Sequence, residues 1–214
     1  MIDAGPTTAD ALVTRTGGVP LAPPGIEWPT CASCDGPMQF LAQVLLNDPD
    51  NGTGDGTGLL ALFACQNDPG MCDDWDPTAG GNRALLFPAT GLRPLPRPEL
   101  ADDDSDDQAV LVLDAVGAVA IAHEDGPDYD AAREAWTARS GRPPSAVLGQ
   151  LGGSPAWIQG DETPSCPGCD HPMGLAVQLE EGPDRATAMN FGGGGCAYAF
   201  TCGPCARAVL LWQC

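Results

Sequence analysis

Basic residues are scarce in this chain, and their scarcity excludes one class of partner. Nine Lys and Arg residues stand against 29 Asp and Glu residues, which gives a formal net charge of −20 at pH 7. Binding to nucleic acid requires a patch of Lys and Arg that neutralises the phosphate backbone. The composition therefore argues against nucleic acid and favours a basic partner, although acidity that only keeps the chain soluble stays an open alternative.

Long apolar runs are also missing. No stretch approaches the length of a membrane span, and the first residues form neither a basic region nor an apolar leader. We therefore expect a cytoplasmic protein that has no membrane partner. In a reducing compartment, the ten cysteines indicate metal binding before disulfides.

Patterns typical of long helices are rare as well. The chain contains 28 Gly and 22 Pro residues, which indicate many turns and short strands, while its 43% apolar residues suit a packed core. One helix is predicted from Tyr129 to Arg139, with Asp128 as its cap and Gly141 at its end. The sequence thus predicts an α+β, β-rich fold with one main helix.

A repeated segment organises the chain. The segment from Cys31 to Met38 returns from Cys166 to Met173, an offset of 135 residues. Without a gap, this offset aligns twelve identities, where composition alone would give about two or three. The first member of each identical pair is Gly17, Gly18, Pro20, Gly25, Glu27, Pro29, Cys31, Cys34, Asp35, Pro37, Met38 and Gln43.

This offset indicates an internal duplication that forms two similar β motifs. We predict a single domain over residues 1–214. Repeat one covers about 15–90, and repeat two covers about 146–214. A connector over about 91–145 carries an acidic loop, a strand and the helix.

Apolar patterns place the strands inside these repeats. Residues 1–30 are expected to form an extended arm and 47–58 a polar turn. The strand after the first Cys pair should place Met38, Phe40, Ala42 and Val44 on one face. The predicted strands are 38–46, 59–64, 83–87, a bent strand or hairpin within 109–122, and then 173–179, 197–202 and 208–212. Between the repeats, residues 83–86 are matched to residues 207–210.

Eight cysteines have the spacing of two zinc sites. A Cys-x-x-Cys turn presents two sulfurs, and a tetrahedral Zn²⁺ site needs two more from another part of the chain. In each repeat, a further cysteine ends an apolar run and another follows it. The predicted ligand sets are Cys31, Cys34, Cys65 and Cys72, and Cys166, Cys169, Cys202 and Cys205. With four protein ligands each, both sites would be structural.

The other polar candidates do not assemble into a catalytic set. The two histidines, His123 and His171, have no counterpart in the other repeat, and His171 could support the second zinc only from outside its ligand shell. Cys196 and Cys214 are expected to be small buried residues, although Cys196 could replace a ligand of the second site and Cys214 could be a free thiol or reach a neighbouring strand.

Two glutamines are matched between the repeats. Gln43 and Gln178 each lie on a strand just after a Cys-x-x-Cys turn. We expect structural amides that bridge backbone groups rather than groups that bind a ligand.

With these motifs, the chain resembles the YwqG-like family, which is related to the eukaryotic programmed cell death protein 2 and its yeast counterpart. The resemblance rests on the motifs at 17–20, 28–29, 31–43, 59–65, 72–75, 151–159, 198–200 and 212–213. It implies a β-rich fold of two similar, intertwined β motifs. The eukaryotic relatives resemble chaperones that hold a ribosomal protein before assembly, and proteins of this family have also been suggested as members of toxin and immunity systems.

The leading hypothesis is a non-enzymatic, zinc-stabilised module that binds a basic protein or peptide and acts like a chaperone. A second hypothesis is an immunity protein that neutralises a toxin. A third is a thiol-dependent enzyme, which would need a reactive cysteine of low pKa.

Overall fold

A computed structural model describes residues 1–46, 58–68, 70–99, 111, 115–183 and 188–214. Most of the predicted polar turn at 47–58, the acidic run at 102–107 and much of the predicted strand at 109–122 lie outside these residues. Within the described ranges, no helix has the length and apolar character needed to cross a membrane.

The described chain is rich in strands and has one α-helix. The strands of the first half are β1 (Ile2–Pro6), β2 (Arg15–Thr16), β3 (Leu21–Ala22), β4 (Gln39–Leu45), β5 (Leu59–Ala64), β6 (Asn82–Phe87), β7 (Arg93–Pro94) and β8 (Gly117–Ala120). The elements that follow are α1 (Tyr129–Ser140), a 3-10 turn (Pro144–Ala146), β9 (Gly149–Leu151), β10 (Gly174–Glu180), β11 (Cys196–Cys202) and β12 (Arg207–Gln213).

Two antiparallel sheets carry most of these strands. One has six strands in the order β1-β8-β2-β4-β5-β6, and the other has four in the order β12-β11-β10-β9. β3 and β7 form a separate pair. The extended arm predicted for residues 1–30 is confirmed as extended, and it supplies three short strands that the sequence pattern did not reveal.

The main apolar core lies between the two sheets. It combines Leu60 and Leu62 of β5 with Val177 of β10 and Leu210 of β12. The sheets also meet at their edges, because β6 lies beside β12 and Ile2 at the start of β1 forms a bridge with Val147. Burying apolar side chains from both sheets in one core holds the two together.

The prediction for the faces of β4 is wrong in part. The pairing of β4 with β5 shifts between Phe40 and Ala42, and this bulge changes the alternation of side chains. Phe40 consequently packs in the cluster around the first four cysteines, whereas Ala42 and Val44 pack in the core between the sheets.

Helix α1 begins at Tyr129, as the sequence predicts, and ends at Ser140, one residue later than predicted. The Asp128 carboxylate accepts a hydrogen bond from the Ala131 N–H, and Gly141 has the left-handed conformation, with φ 69°, that ends many helices. Trp136 is the buried residue of the helix, and the Arg142 guanidinium lies over its ring. One buried aromatic side chain therefore anchors the helix to the sheets.

Several irregular backbone features recur at the 135-residue offset. A bulge, an isolated bridge and a left-handed Asp appear at corresponding positions of the two repeats. They are the bulges between Phe40 and Ala42 and between Leu175 and Val177, the bridges Thr30–Pro37 and Ser165–Pro172, and Asp35 and Asp170 at φ 56° and 60°.

The predicted match of 83–86 with 207–210 is two residues out of register. Phe63, two residues before Cys65, pairs with Arg83, and Phe200, two residues before the corresponding Cys202, pairs with Val209. Arg83 thus corresponds to Val209 rather than to Arg207. The match from sequence was wrong because the two segments have similar residues and a shift of two residues leaves each side chain on the same face of a strand.

Candidate metal centres

The eight predicted cysteines lie in two compact groups. Group one contains Cys31, Cys34, Cys65 and Cys72, and group two contains Cys166, Cys169, Cys202 and Cys205. In each group, all four sulfur atoms lie within 4.8 Å of one another. These are the only such groups of potential metal ligands in the described ranges, and neither histidine belongs to them.

The sulfur spacing fits a tetrahedral metal ion. A tetrahedron with metal–sulfur bonds of about 2.3 Å has edges of about 3.8 Å. The Sγ atoms of Cys34 and Cys65 are 3.7 Å apart, and those of Cys169 and Cys202 are also 3.7 Å apart. Both distances far exceed the length of a disulfide bond, which is about 2.05 Å, and all ten cysteines are free. Both groups therefore have the size and the donor chemistry of a four-sulfur metal site.

A tight turn presents the first two sulfurs of group one. The Cys31 N–H donates to the Gly36 carbonyl oxygen at 2.9 Å, and the Asp35 N–H donates to the Cys31 carbonyl oxygen at 3.0 Å. The Ser33 N–H points to the Cys31 Sγ at 3.4 Å, a contact that stabilises a thiolate.

Group two uses the same turn. The Cys166 N–H donates to the His171 carbonyl oxygen at 2.8 Å, and the Gly168 N–H lies 3.4 Å from the Cys166 Sγ. The Cys-x-x-Cys turn therefore places two sulfurs at corresponding positions in both repeats.

Strand ends supply the remaining sulfurs. Cys65 follows β5 directly, and its N–H donates to the Gly81 carbonyl oxygen at 2.8 Å. A Cβ atom added to Gly81 would lie 2.3 Å from the Cys72 carbonyl oxygen, so only glycine fits at this position. This close backbone approach holds Cys72 beside Cys65 despite their wide spacing in the sequence. In group two, Cys202 ends β11 and Cys205 lies in the turn that follows.

Each group forms part of a small apolar cluster of its own. Group one packs with Trp28, Met38 and Phe63, and the Trp28 Nε1–H donates to the Met38 carbonyl oxygen at 2.7 Å. Group two packs with Met173 and Phe200 in the corresponding cluster. A metal ion at either group would thus tie a turn to the end of a strand beneath it.

Burial and hydrogen bonds shift the pKa values of several thiols in these groups. Burial raises the pKa of Cys65 to about 11 and raises that of Cys72 further. In group two, a hydrogen bond from the His171 backbone, followed by one from its side chain, lowers the pKa of Cys169 to about 6. A divalent cation favours the thiolate form of every ligand, so binding would release protons from the buried thiols.

Different residues lie beside the exposed thiol of each group. In group one, the Asn67 amide donates to the sulfurs of Cys34 and Cys65, both at 3.4 Å. In group two, His171 lies beside Cys169, and its Nδ1 is 3.0 Å from the Cys169 carbonyl oxygen. The sequence pointed to His171 as a neighbour of the site but missed Asn67, whose one signal is its position two residues after Cys65.

The two remaining cysteines lie outside both groups. Cys196 is half-buried at the start of β11, and burial raises the pKa of its thiol to about 11. The alternative in which Cys196 replaces a ligand does not agree with this geometry. Cys214 is exposed, so the prediction that it is buried is wrong, because it follows the last residue of β12 instead of facing a core.

The matched glutamines have structural roles, as predicted. Gln43 is fully buried, and its Nε2 donates to the carbonyl oxygens of Ala11 and Val13, both at 2.9 Å. The Gln178 Oε1 accepts from the Ala156 N–H and from the Gln150 side chain, each at 2.9 Å. Each amide thus fixes a loop to a central strand.

No curated protein matches the chain. A family model described as a domain of unknown function, DUF1963, matches residues 14–202. YwqG-like proteins are members of that family, so the match supports this resemblance, while the relation to programmed cell death protein 2 stays a prediction. Because the matched range covers most of the 214 residues, the chain belongs to the DUF1963 family.

Proposed function

We propose that each cysteine group binds one Zn²⁺ ion as a structural site. Four sulfurs at tetrahedral spacing are typical of zinc or iron–sulfur ligation, and a single Zn²⁺ ion fits a group this compact. With four protein ligands, neither site would keep an open position for water or substrate. The metal would therefore stabilise the fold rather than catalyse a reaction.

The proposal includes an internal duplication. The recurring bulge, bridge and left-handed Asp support it, because such irregular features do not follow from composition. In addition, both cysteine groups take their ligands from corresponding places, a tight turn and the end of the neighbouring strand. Two copies of one zinc-stabilised unit would account for both sheets.

The proposed function of this doubled scaffold is to bind a basic protein or peptide in a chaperone-like manner. The observation that carries it is that eight of the ten cysteines lie in two closed groups on a chain of net charge −20. Eight thiolates and two Zn²⁺ ions together would add four negative charges. Such a surface attracts a basic partner over long distances and repels nucleic acid.

Affinity purification tests this function. The tagged, zinc-loaded chain is used as bait, and an unrelated acidic protein of similar net charge serves as the control. We expect partners of high Lys and Arg content that bind the chain but not the control, with binding that weakens as salt rises. Recovery of the same proteins by both baits, or no loss of binding in high salt, would contradict the proposal.

The same experiment separates the chaperone role from an immunity role. A nuclease or another toxin as the dominant partner would identify an immunity protein, whereas a basic protein of the cell's own machinery would indicate a client. Burial raises the pKa of Cys196, so this thiol does not suit a nucleophilic role, and the lowered pKa of Cys169 belongs to a thiol that the proposed zinc would bind.

A further inference from the structure

A cavity lies between helix α1 and the loop that follows β9. It has a volume of about 450 Å³ and opens to solvent, which is within the range of about 300–1,000 Å³ typical of ligand pockets. Ile121, Trp136 and Leu151 contribute apolar surface, while Arg133, Gln150 and Ser154 contribute polar groups. Neither cysteine group lines it.

The corresponding place in repeat one is filled by the chain itself. At the 135-residue offset, Ser154 corresponds to Val19, and Val19 donates its N–H to the Ala9 carbonyl oxygen at 2.9 Å. Two residues after Ala9, the Ala11 carbonyl oxygen accepts hydrogen bonds from Arg15 at 3.1 Å and from Gln43 at 2.9 Å. An extended segment around Ala9 and Ala11 is therefore bound through its backbone.

In repeat two, no segment of the described chain is bound at the corresponding backbone, which is that of Gly153 and Ser154. Gly18 is buried, and a Cβ atom added to it would lie 2.6 Å from the Ala9 carbonyl oxygen. Its counterpart Gly153 is exposed, and there an added Cβ would meet only the Gln150 side chain, at 3.7 Å. Among the residues that the structure describes, none accepts a hydrogen bond from the Ser154 N–H.

A residue that lines the cavity, Arg133, carries a second unused donor. The Nε of Arg133 is buried and has no hydrogen-bond partner in the described part of the chain. The charge of this side chain is already balanced by Glu180, whose Oε2 lies 3.0 Å from the Arg133 NH2. A neutral acceptor such as a peptide carbonyl therefore suits this place better than an anion, since Glu180 would repel a second negative charge.

We propose that this cavity binds an extended segment of the partner polypeptide. One carbonyl oxygen of that segment accepts from the Ser154 N–H, as Ala9 does from Val19, and small side chains fill the space that Ala9 and Ala11 occupy in repeat one. The proposal rests on the proposed function and places its binding site at the connector helix rather than at the cysteine groups. Backbone recognition of this kind resembles the addition of a strand to an exposed edge.

Peptide selection tests the site, with a library of random octapeptides displayed on phage as the probe and the zinc-loaded full chain as the target. Selected peptides are synthesised and titrated against three proteins: wild type, Ala132→Leu and Ala135→Leu. Ala132 lines the cavity, whereas Ala135 is exposed on the same helix. Both changes keep a strong helix former in place, so Ala135→Leu is a matched control.

We expect Ala132→Leu to weaken peptide binding about tenfold or more, because its side chain fills the cavity, and Ala135→Leu to bind like wild type. If Ala132→Leu fails to fold, Ser154→Pro, which removes the N–H donor, replaces it and should show the same loss. Equal affinity of the peptides for wild type and the cavity variants would overturn this inference.

Failure of the site and failure of the function give different results. If affinity purification recovers a basic partner that binds Ala132→Leu as tightly as wild type, the cavity is not the binding site, but the proposed binding function is supported. If no octapeptide is enriched on the wild-type chain, the proposal that the cavity binds a peptide is also wrong. The purification experiment then decides the binding function independently.

Discussion

At the scale of single residues, the two cysteine groups differ in how well they are shielded. Three cysteines of group one are buried, whereas group two has two buried cysteines and the half-buried Cys205. Asn67 adds two contacts to sulfur in group one, and exposed His171 takes the corresponding place in group two. A better shielded metal exchanges more slowly, so group one should hold its zinc longer.

Replacing a ligand in either group tests this difference. Cys31→Ser and Cys166→Ser should each lower the zinc content from two ions to one and reduce the free energy of unfolding by about 4 kcal/mol or more, as loss of a structural metal does. Chelator-driven release should then be slower from Cys166→Ser, which retains group one. The control is Cys214→Ser, which removes an exposed thiol outside both groups and should stay within about 0.5 kcal/mol of wild type. Faster release from Cys166→Ser than from Cys31→Ser would contradict the shielding argument.

Gln43→Ala tests the role of the buried amide. The change removes a fully buried amide that donates to the carbonyl oxygens of Ala11 and Val13, of which Ala11 keeps Arg15 as a donor, so we expect a loss of about 3 kcal/mol in chemical denaturation. Gln159→Ala is the matched control, because Gln159 is exposed and its side chain donates only to the Cys214 carbonyl oxygen. A loss for Gln43→Ala no larger than that of the control would show that the amide is dispensable.

At the scale of elements, α1 joins the two sheets and forms a wall of the cavity. Its Tyr129 hydroxyl donates to Glu180 of β10, and Arg133 forms an ion pair with the same carboxylate. Helix and strand are therefore linked through one acidic side chain next to the cavity.

Asp128→Ala should destabilise this helix by removing its cap. The loss of the hydrogen bond to the Ala131 N–H is worth about 1 kcal/mol, measured as a lower thermal midpoint. Asp130→Ala removes an acidic residue of the same first turn that makes no cap, so it should cost only about 0.3 kcal/mol. Equal losses would mean that charge near the helix end, and not the cap, sets the stability of α1.

Elements with strong local patterns could be predicted from the sequence, and those made by tertiary contacts could not. β5 was predicted with the observed bounds, because a continuous apolar run is typical of a central strand, and α1 was predicted through its cap and its closing glycine. The two-residue strands β2 and β3 exist only because partner strands lie beside them. The bulge in β4 likewise depends on its partner, which is why the faces of Phe40 and Ala42 were assigned wrongly.

The same distinction applies to the candidate metal centres. The Cys-x-x-Cys turns and the cysteines that end strands could be predicted, because their spacing reflects local geometry and the repeat. Asn67 could not, since its contact depends on the fold of a loop, and neither could the close approach of Gly81 that positions Cys72.

At the scale of the whole molecule, two zinc ions would make stability depend on pH. A cysteine must lose its proton to bind Zn²⁺, so protons compete with the metal as pH falls. Stability from the metal is present at neutral pH and is lost on acidification. We expect zinc release and unfolding to coincide in an acid titration followed by a zinc-sensitive dye and circular dichroism. Unfolding at a pH where both ions remain bound would contradict the structural role.

The molecule also depends on contacts between its two repeats. Core residues from both sheets pack together, and the Trp212 Nε1–H of repeat two donates to Asp74 of repeat one at 3.2 Å. Loss of either zinc site should therefore weaken the whole domain in one transition rather than unfold one repeat alone.

Native mass spectrometry of the purified chain tests the central claim most directly, because it counts the bound ions on the folded protein. The account expects one dominant species with two Zn²⁺ ions, and a chelated sample that unfolds at a lower temperature. A folded, metal-free chain of unchanged thermal stability would contradict it.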